Sequence, residues 1–261
     1  MTKLAILSDI HGNLTALEAV LADVALHGVD GIVNLGDIVS GPLQAAGTLD
    51  LLMQQNITTI RGNHERQLLA LLDAGQPLDL LSSDGFAAAQ LSAAHIAWLR
   101  ALPATQLLQG DILLCHGTPA SDLAYWLETV VPGYARHGDA VANGVRPATP
   151  AEVAARLGDV TPALVVCGHT HVARIVASGA SLIVNPGSVG LQAYDDEHPL
   201  PHVIESGLTS ASYALVERRD GVWYATLRQV PYDHLAQARL AAERGRRDWA
   251  QALATGRALR F

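Results

Sequence analysis

The first 60 residues alternate short apolar runs with amphipathic stretches, and this alternation narrows the fold more than any other feature. Residues 3–8, 32–35 and 57–60 are apolar runs of strand length. Between them, residues 13–25 place Leu14, Leu17, Val20, Leu21 and Val24 at helical spacing, with Gly28 as a stop, and residues 43–55 read as a second helix. Strand, helix, strand, helix, strand predicts an α/β fold with at least partly parallel pairing. Residues 62–72 and 86–102 continue as helices, and then the pattern changes. Residues 105–109 and 112–115 flank Gly110-Asp111, and residues 213–217 and 222–230 flank Asp220-Gly221, both hairpin signals. With further strands at 164–167, 172–176 and 182–184, the second half is expected to be rich in antiparallel pairs.

The composition suits one packed domain over residues 1–261: 49% of residues are hydrophobic and 16% charged, which argues against disorder. A mean hydropathy of +0.21 raises the question of a membrane protein. No uninterrupted apolar run approaches the roughly 18 residues of a span, and the first apolar run is too short for a signal peptide and ends at Asp9. Two cysteines, Cys115 and Cys167, cannot build a disulfide framework, so a cytoplasmic setting is expected. A net charge of −8 argues against anionic membranes and long nucleic acids as partners. Two stretches stand apart. Residues 118–150, punctuated by prolines and glycines, are expected to form a cap or insertion, and residues 233–261 an Ala- and Arg-rich helical tail.

Five polar clusters begin where predicted strands stop: Asp9-Ile10-His11-Gly12-Asn13, Gly36-Asp37, Gly62-Asn63-His64-Glu65, His116-Gly117 and Gly168-His169-Thr170-His171. The carboxyl ends of strands border the ligand crevice of an open α/β sheet, so clusters far apart in the chain can meet there. Singly, each has a commonplace reading: Asp9 or Asn13 as a helix cap, a lone histidine as a surface or satisfied core residue. Five together at strand ends are hard to explain as caps. Carboxylate oxygen, imidazole nitrogen and amide oxygen are metal donors, and cysteine is absent from the clusters, against a structural zinc site. Seven such donors exceed one metal's coordination and suit two metals sharing a carboxylate, roughly 3.5–4 Å apart. Gly36, Gly62 and Gly168 are expected to let the chain turn sharply before a donor.

The ordered set Asp-x-His, Gly-Asp, Gly-Asn-His-Glu, His-Gly, Gly-His-x-His resembles the calcineurin-like metallophosphoesterases, and does so from Leu4 to Gly190. Ser8-Asp9-Ile10-His11-Gly12-Asn13, His116-Gly117-Thr118-Pro119 and Asn185-Pro186-Gly187-Ser188-Val189-Gly190 resemble its compact bacterial phosphodiesterase branch. The resemblance implies a four-layer α/β/β/α sandwich with two mixed β-sheets. It implies that Asp9, His11 and His171 hold one divalent ion, that Asn63, His116 and His169 hold another, and that Asp37 bridges them. Mn²⁺ is the expected metal, with Fe, Ni, Co or Zn also compatible with mixed nitrogen and oxygen donors. The implied activity is hydrolysis of small phosphate esters, phosphodiesters ahead of monoesters, by a metal-bridging hydroxide, with His64 as proton donor.

The match also departs from a neighbouring branch. Phosphoprotein phosphatases share Arg61-Gly62-Asn63-His64-Glu65 but carry Asp-Arg-Gly after the Gly-Asp motif, where this chain has Ile38-Val39-Ser40-Gly41-Pro42. That branch's Asp supporting the catalytic histidine, and its phosphate-binding Arg, are therefore missing. Arg61 and Ser188 are the expected substrate contacts, each with a structural alternative. Tyr125, Trp126 and Tyr134 either meet an aromatic substrate group or pack the 118–150 stretch onto the body. Arg239, Arg244, Arg246, Arg247, Arg257 and Arg260 read as a solvated helix face, and Trp249, Leu253 and Leu259 as a surface that a homo-oligomer would use.

Overall fold

The computed structural model describes residues 2–134 and 143–259. The first half runs β1 (Thr2–Leu7), α1 (Leu14–Ala25), β2 (Gly31–Asn34), α2 (Ala45–Met53), β3 (Ile57–Thr59), α3 (Asn63–Asp73), α4 (Ser83–Ala88) and α5 (Ala93–Ala101). Next come β4 (Gln106–Leu108), β5 (Ile112–Leu114), β6 (Glu128–Val130), β7 (Val145–Pro147), α6 (Pro150–Leu157), β8 (Leu164–Val166), β9 (Arg174–Ser178) and β10 (Ser181–Asn185). β11 (Ala193–Asp196), β12 (His202–Glu205), β13 (Ala211–Arg219), β14 (Val222–Val230), α7 (His234–Glu243) and α8 (Arg247–Thr255) complete the chain.

Two five-stranded mixed sheets result, ordered β14-β13-β1-β2-β3 and β4-β5-β8-β10-β9. The period-two alternation of β1 sets the layers. Leu4 and Ile6 face the second sheet, in a core with Val33, Ile112, Leu164 and Val184. Ala5 and Leu7 face the other way, against Leu17 and Val20 of α1 and Leu49 and Leu52 of α2. The far side of the second sheet carries Cys115, Val165, Cys167 and Ile183 against Trp126 and Val153 of α6. The layers are thus helix, sheet, sheet, helix, the predicted sandwich.

Three local expectations change. The predicted helix over 86–102 is two helices, because the Ser92 hydroxyl accepts from the His95 amide (3.2 Å) and starts a new one. The hairpins at Gly110-Asp111 and Asp220-Gly221 are present, but β5, β8 and β10 pair in parallel, with α6 lying between β5 and β8 in the chain. Of the glycines expected to turn, Gly36 does so with φ +97°. Gly62 is extended; it is needed for space, since a Cβ there would stand 2.2 Å from Asp37 Oδ1.

In the 118–150 stretch β6 pairs with β7, while residues 135–142, including His137 and Gly138, lie outside the described residues, as does Arg260. The C-terminal helices differ most from their reading. Trp249 and Leu253 pack inside this chain with Leu43, Leu191 and Ala193. Arg244 donates to the Pro42 and Leu43 carbonyls, so only part of the arginine set faces solvent. No helix among the described residues is long and apolar enough to cross a membrane.

Candidate metal centre

Both sheets deliver their parallel strand ends to one place. Asp9 follows β1, Asp37 follows β2, Asn63 follows β3, His116 follows β5, and His169 and His171 follow β8. The loops lock onto one another through backbone bonds: Asp9 N to Gly36 O (3.0 Å), His11 N to Asp37 O (3.0 Å), and Gly168 N to His116 O (2.7 Å). Seven described non-glycine residues have positive φ, and five of them are Asp9, His11, Asp37, His169 and His171. Residues held in this sparsely allowed region persist only where the surroundings over-determine them, as the backbone bonds between these loops do.

The donors fall into two groups, Asp9 with His11 and His171, and Asp37 with His116 and His169, each with ligand atoms within 4.8 Å of one another. In the first group, His11 Nδ1 lies 2.9 Å from the Ser40 carbonyl and His171 Nδ1 2.6 Å from the Leu191 carbonyl. A carbonyl only accepts, so both Nδ1 atoms donate, and the two Nε2 atoms face each other at 3.1 Å. Asp9 Oδ1, fully buried and without a hydrogen-bond partner, stands 3.4 Å from His171 Nε2 and 4.0 Å from His116 Nε2. Two imidazole nitrogens converging beside a bare, buried carboxylate oxygen are the donor set of a divalent ion, so the residues fit one. Burial, then the neighbouring His171, pushes His11 down to about 3 and keeps its ring neutral.

In the second group His116 Nδ1 is tied to the Leu35 carbonyl (2.8 Å), while Nε2 faces Asn63 Oδ1 and Asp37 Oδ2, both at 3.1 Å. Burial opposes protonation of His116, but the Asp37 carboxylate overrides it and raises the ring to about 10. His169 is tied through Nε2 to the Leu123 carbonyl (3.1 Å), leaving Nδ1 free; burial and His116 push it down to about 4. Gln67 Oε1 accepts from Asn63 Nδ2 (3.2 Å), which turns the Asn63 oxygen toward the centre.

His64 begins the same helix, its amide donating to Asp37 Oδ1 (3.0 Å) and its ring packing edge-on to His11. Its Nδ1 lies 2.9 Å from Asp84 Oδ1, on α4. Burial would lower the His64 ring; Asp37 and Asp84 raise it to about 9. Glu65 does not touch the His64 ring. Its carboxylate accepts from the amides of Asp37 (2.8 Å), Ile38 (2.7 Å) and Gly62 (2.8 Å), clamping the loop that carries Asp37.

The centre opens into a cavity of about 1040 Å³ lined by His11, Asp37, Asn63, His64, His169 and His171. The wall beside His64 is Ser40, Ser83, Arg246, Asp248 and Trp249; the wall beside His169 includes Tyr125, Thr129, Arg156 and Tyr194. Residues 2–204 match the calcineurin-like phosphoesterase superfamily domain. The chain belongs to that superfamily. It is therefore a hydrolase of phosphoric esters that binds divalent metal, and the two donor groups are the place for it. A metallophosphoesterase of Sphaerobacter thermophilus is 25% identical, covering 98% of this chain and 99% of its own with a TM-score of 0.71. The hypothetical protein PH1004 of Pyrococcus horikoshii shares the fold at 18% identity, covering 98% and 99% with a TM-score of 0.71. The uncharacterized protein MJ0912 of Methanocaldococcus jannaschii is 26% identical over 232 residues, 84% of each chain.

The structure gathers the seven donors and His64 of this phosphoesterase in one cluster, with Asp9 and His116 behind the five donors that line the cavity, but not the two expected substrate contacts. Arg61 is not among the described residues that line the cavity. Ser188 is buried beneath the centre, where its hydroxyl donates to the Asp9 carbonyl (2.7 Å) and accepts from the Leu191 amide (2.8 Å), so it is a strut. Trp126 packs, its indole donating to the Val153 carbonyl (3.1 Å), whereas Tyr125 lines the cavity edge-on to His169. Asp84, Gln67, Tyr194, Arg246 and Trp249 were not singled out as site residues by the sequence. Only Gln67 carried a local signal, standing four residues after Asn63 on a predicted helix and so on its face.

Proposed function

We propose that the chain hydrolyses phosphodiesters, with Asp9, His11 and His171 holding one divalent ion, Asn63, His116 and His169 a second, and Asp37 shared between them. The observation that supports this is His64, raised to about 9 by Asp37 and Asp84, beside paired donor groups in a cavity at the upper end of the roughly 300–1,000 Å³ of ligand pockets. A lone phosphate would leave most of that space empty; an ester group on either side of phosphorus fills it. Bound divalent ions supply Lewis-acid charge and lower the pKa of water toward neutrality.

The chain's own residues do the rest. Asp84 fixes the His64 ring through Nδ1, which leaves Nε2 to hand a proton to the departing oxygen. Glu65 and the Gly62 close approach hold the Asp37 loop in register with His64. Within the 118–150 stretch, Ser121, Leu123, Tyr125 and Thr129 act as a cap of the same domain, since all four line the cavity. The two cysteines are free and buried, in keeping with a cytoplasmic setting. Mn²⁺ is the metal of first choice for assay. The metal-free protein, reloaded with Mn²⁺, is offered bis-p-nitrophenyl phosphate and p-nitrophenyl phosphate. Preference for the diester is expected; preference for the monoester would make the chain a phosphomonoesterase.

A further inference from the structure

Two arginines line the cavity, and they differ in how their charge is met. Arg246 is neutralised by Asp248, at 3.0 Å from Nε and 2.6 Å from a terminal nitrogen, and donates to Ser83 Oγ (2.9 Å). Arg156, at the end of α6, meets no carboxylate within 4.0 Å among the described residues. Its three bonds go to neutral acceptors: the Trp126 carbonyl (2.7 Å), the Glu128 carbonyl (2.8 Å) and Thr129 Oγ1 (2.8 Å). These hold the guanidinium in one orientation without cancelling its charge, and leave Nε–H and one terminal N–H unused. The nearby Glu128 carboxylate feels the Arg156 charge but is bonded to Arg174 (2.9 Å), so two arginines share one carboxylate. A half-buried, pre-oriented guanidinium that bonds to no carboxylate, and shares its nearest one with a second arginine, is built to receive an anion.

We infer that Arg156 anchors a second anionic group of the substrate, a phosphate or carboxylate remote from the scissile phosphate. The subsite is close enough for one molecule to reach both. Arg156 lines the same cavity as Asp37, His64 and His169, with Tyr125 packed on His169 and Thr129 holding Arg156. The inference rests on the phosphodiester reading and narrows it: the preferred substrate is a diester bearing a further acid.

The test uses the Mn²⁺-loaded protein with thymidine 5′-(p-nitrophenyl phosphate) and the same compound phosphorylated at its 3′ oxygen. The 3′-phosphorylated substrate is expected to be favoured about tenfold in kcat/KM, through KM, since a bond to a charged group contributes that order of selectivity. In Arg156→Met the ratio falls to about one, and in Arg156→Lys part of it survives, because the charge remains without the fork. A wild-type ratio near one, or a preference that Arg156→Met leaves intact, overturns the inference while the diesterase reading stands. If the wild type cleaves neither compound, the diesterase reading fails, and calorimetry with adenosine 3′,5′-bisphosphate against adenosine 5′-monophosphate decides the subsite alone. Tighter binding of the bisphosphate that is lost in Arg156→Met supports it; equal binding overturns it.

Discussion

The two donor groups are built alike and charged differently. Each has one carboxylate and two imidazoles, and each imidazole is aimed by a backbone carbonyl on its other nitrogen. In the first group, His11 sits at about 3 and has no proton to give up, and Asp9 Oδ1 is bare. In the second, Asp37 draws a proton onto His116, at about 10, and helps to hold His64 at about 9. Identical ligand types therefore carry different proton loads: His11 has none to release at neutral pH, while His116 must release one before it can hold a cation. The difference traces to where the second carboxylate lies: Asp37 contacts His116 and His64, while Asp9 Oδ1 contacts neither closely enough to bond.

The largest expected effect comes from the residue that touches both halves. Asp37→Asn should strip metal from both groups, measured by elemental analysis, and lower turnover by more than the roughly 10²–10⁴-fold that a lone acid–base group contributes. Full occupancy in that variant would show that the groups do not share Asp37. His64→Ala should cost roughly 10²–10⁴-fold in turnover with both metals retained. Asp84→Asn should act in the same direction more weakly, and more on alkyl than on p-nitrophenyl leaving groups, because a good leaving group needs no proton. An equal loss on both would remove the pair from proton transfer.

These residues also show what the sequence exposed and what it hid. The seven donors and His64 were legible because each follows a strand, and strand ends converge by the topology of parallel sheets whatever their separation in the chain. The α/β start followed from the alternation in residues 1–60, and the four layers from the resemblance alone. Asp84 was not legible. It sits between the helices expected at 62–72 and 86–102, on a short helix that Ser82 starts and that ends before Ser92 begins the next. Trp249 was hidden for a different reason. An amphipathic helix shows which face is apolar but not what covers it, and the cover here is the loop at Gly41, where a Cβ would stand 2.4 Å from the indole.

Two smaller effects separate the groups from one another. Gln67→Leu frees the Asn63 amide to turn its nitrogen inward, and should weaken the second group roughly 10–100-fold while leaving the first unchanged, read by metal titration. Equal weakening of both would mean that Asn63 serves a shared position. The pH effect is the most graded. Because His116 is raised above its ordinary value in the metal-free protein, the competing proton is bound at neutral pH and lost as pH rises through about 10. Affinity of the second group should then climb about tenfold per pH unit from neutrality upward, with one proton released per ion, while His11 gives the first group no such slope. Calorimetry in buffers of different ionisation enthalpy counts that proton, and a count of zero for both ions would erase the distinction.

The central claim is that two ions share one site at these strand ends. Crystals grown with Mn²⁺ and measured for its anomalous scattering test it directly. Two peaks roughly 3.5–4 Å apart are expected, one against Asp9, His11 and His171, the other against Asn63, His116 and His169, with Asp37 touching both. A single peak, or two peaks without Asp37 between them, would contradict the account.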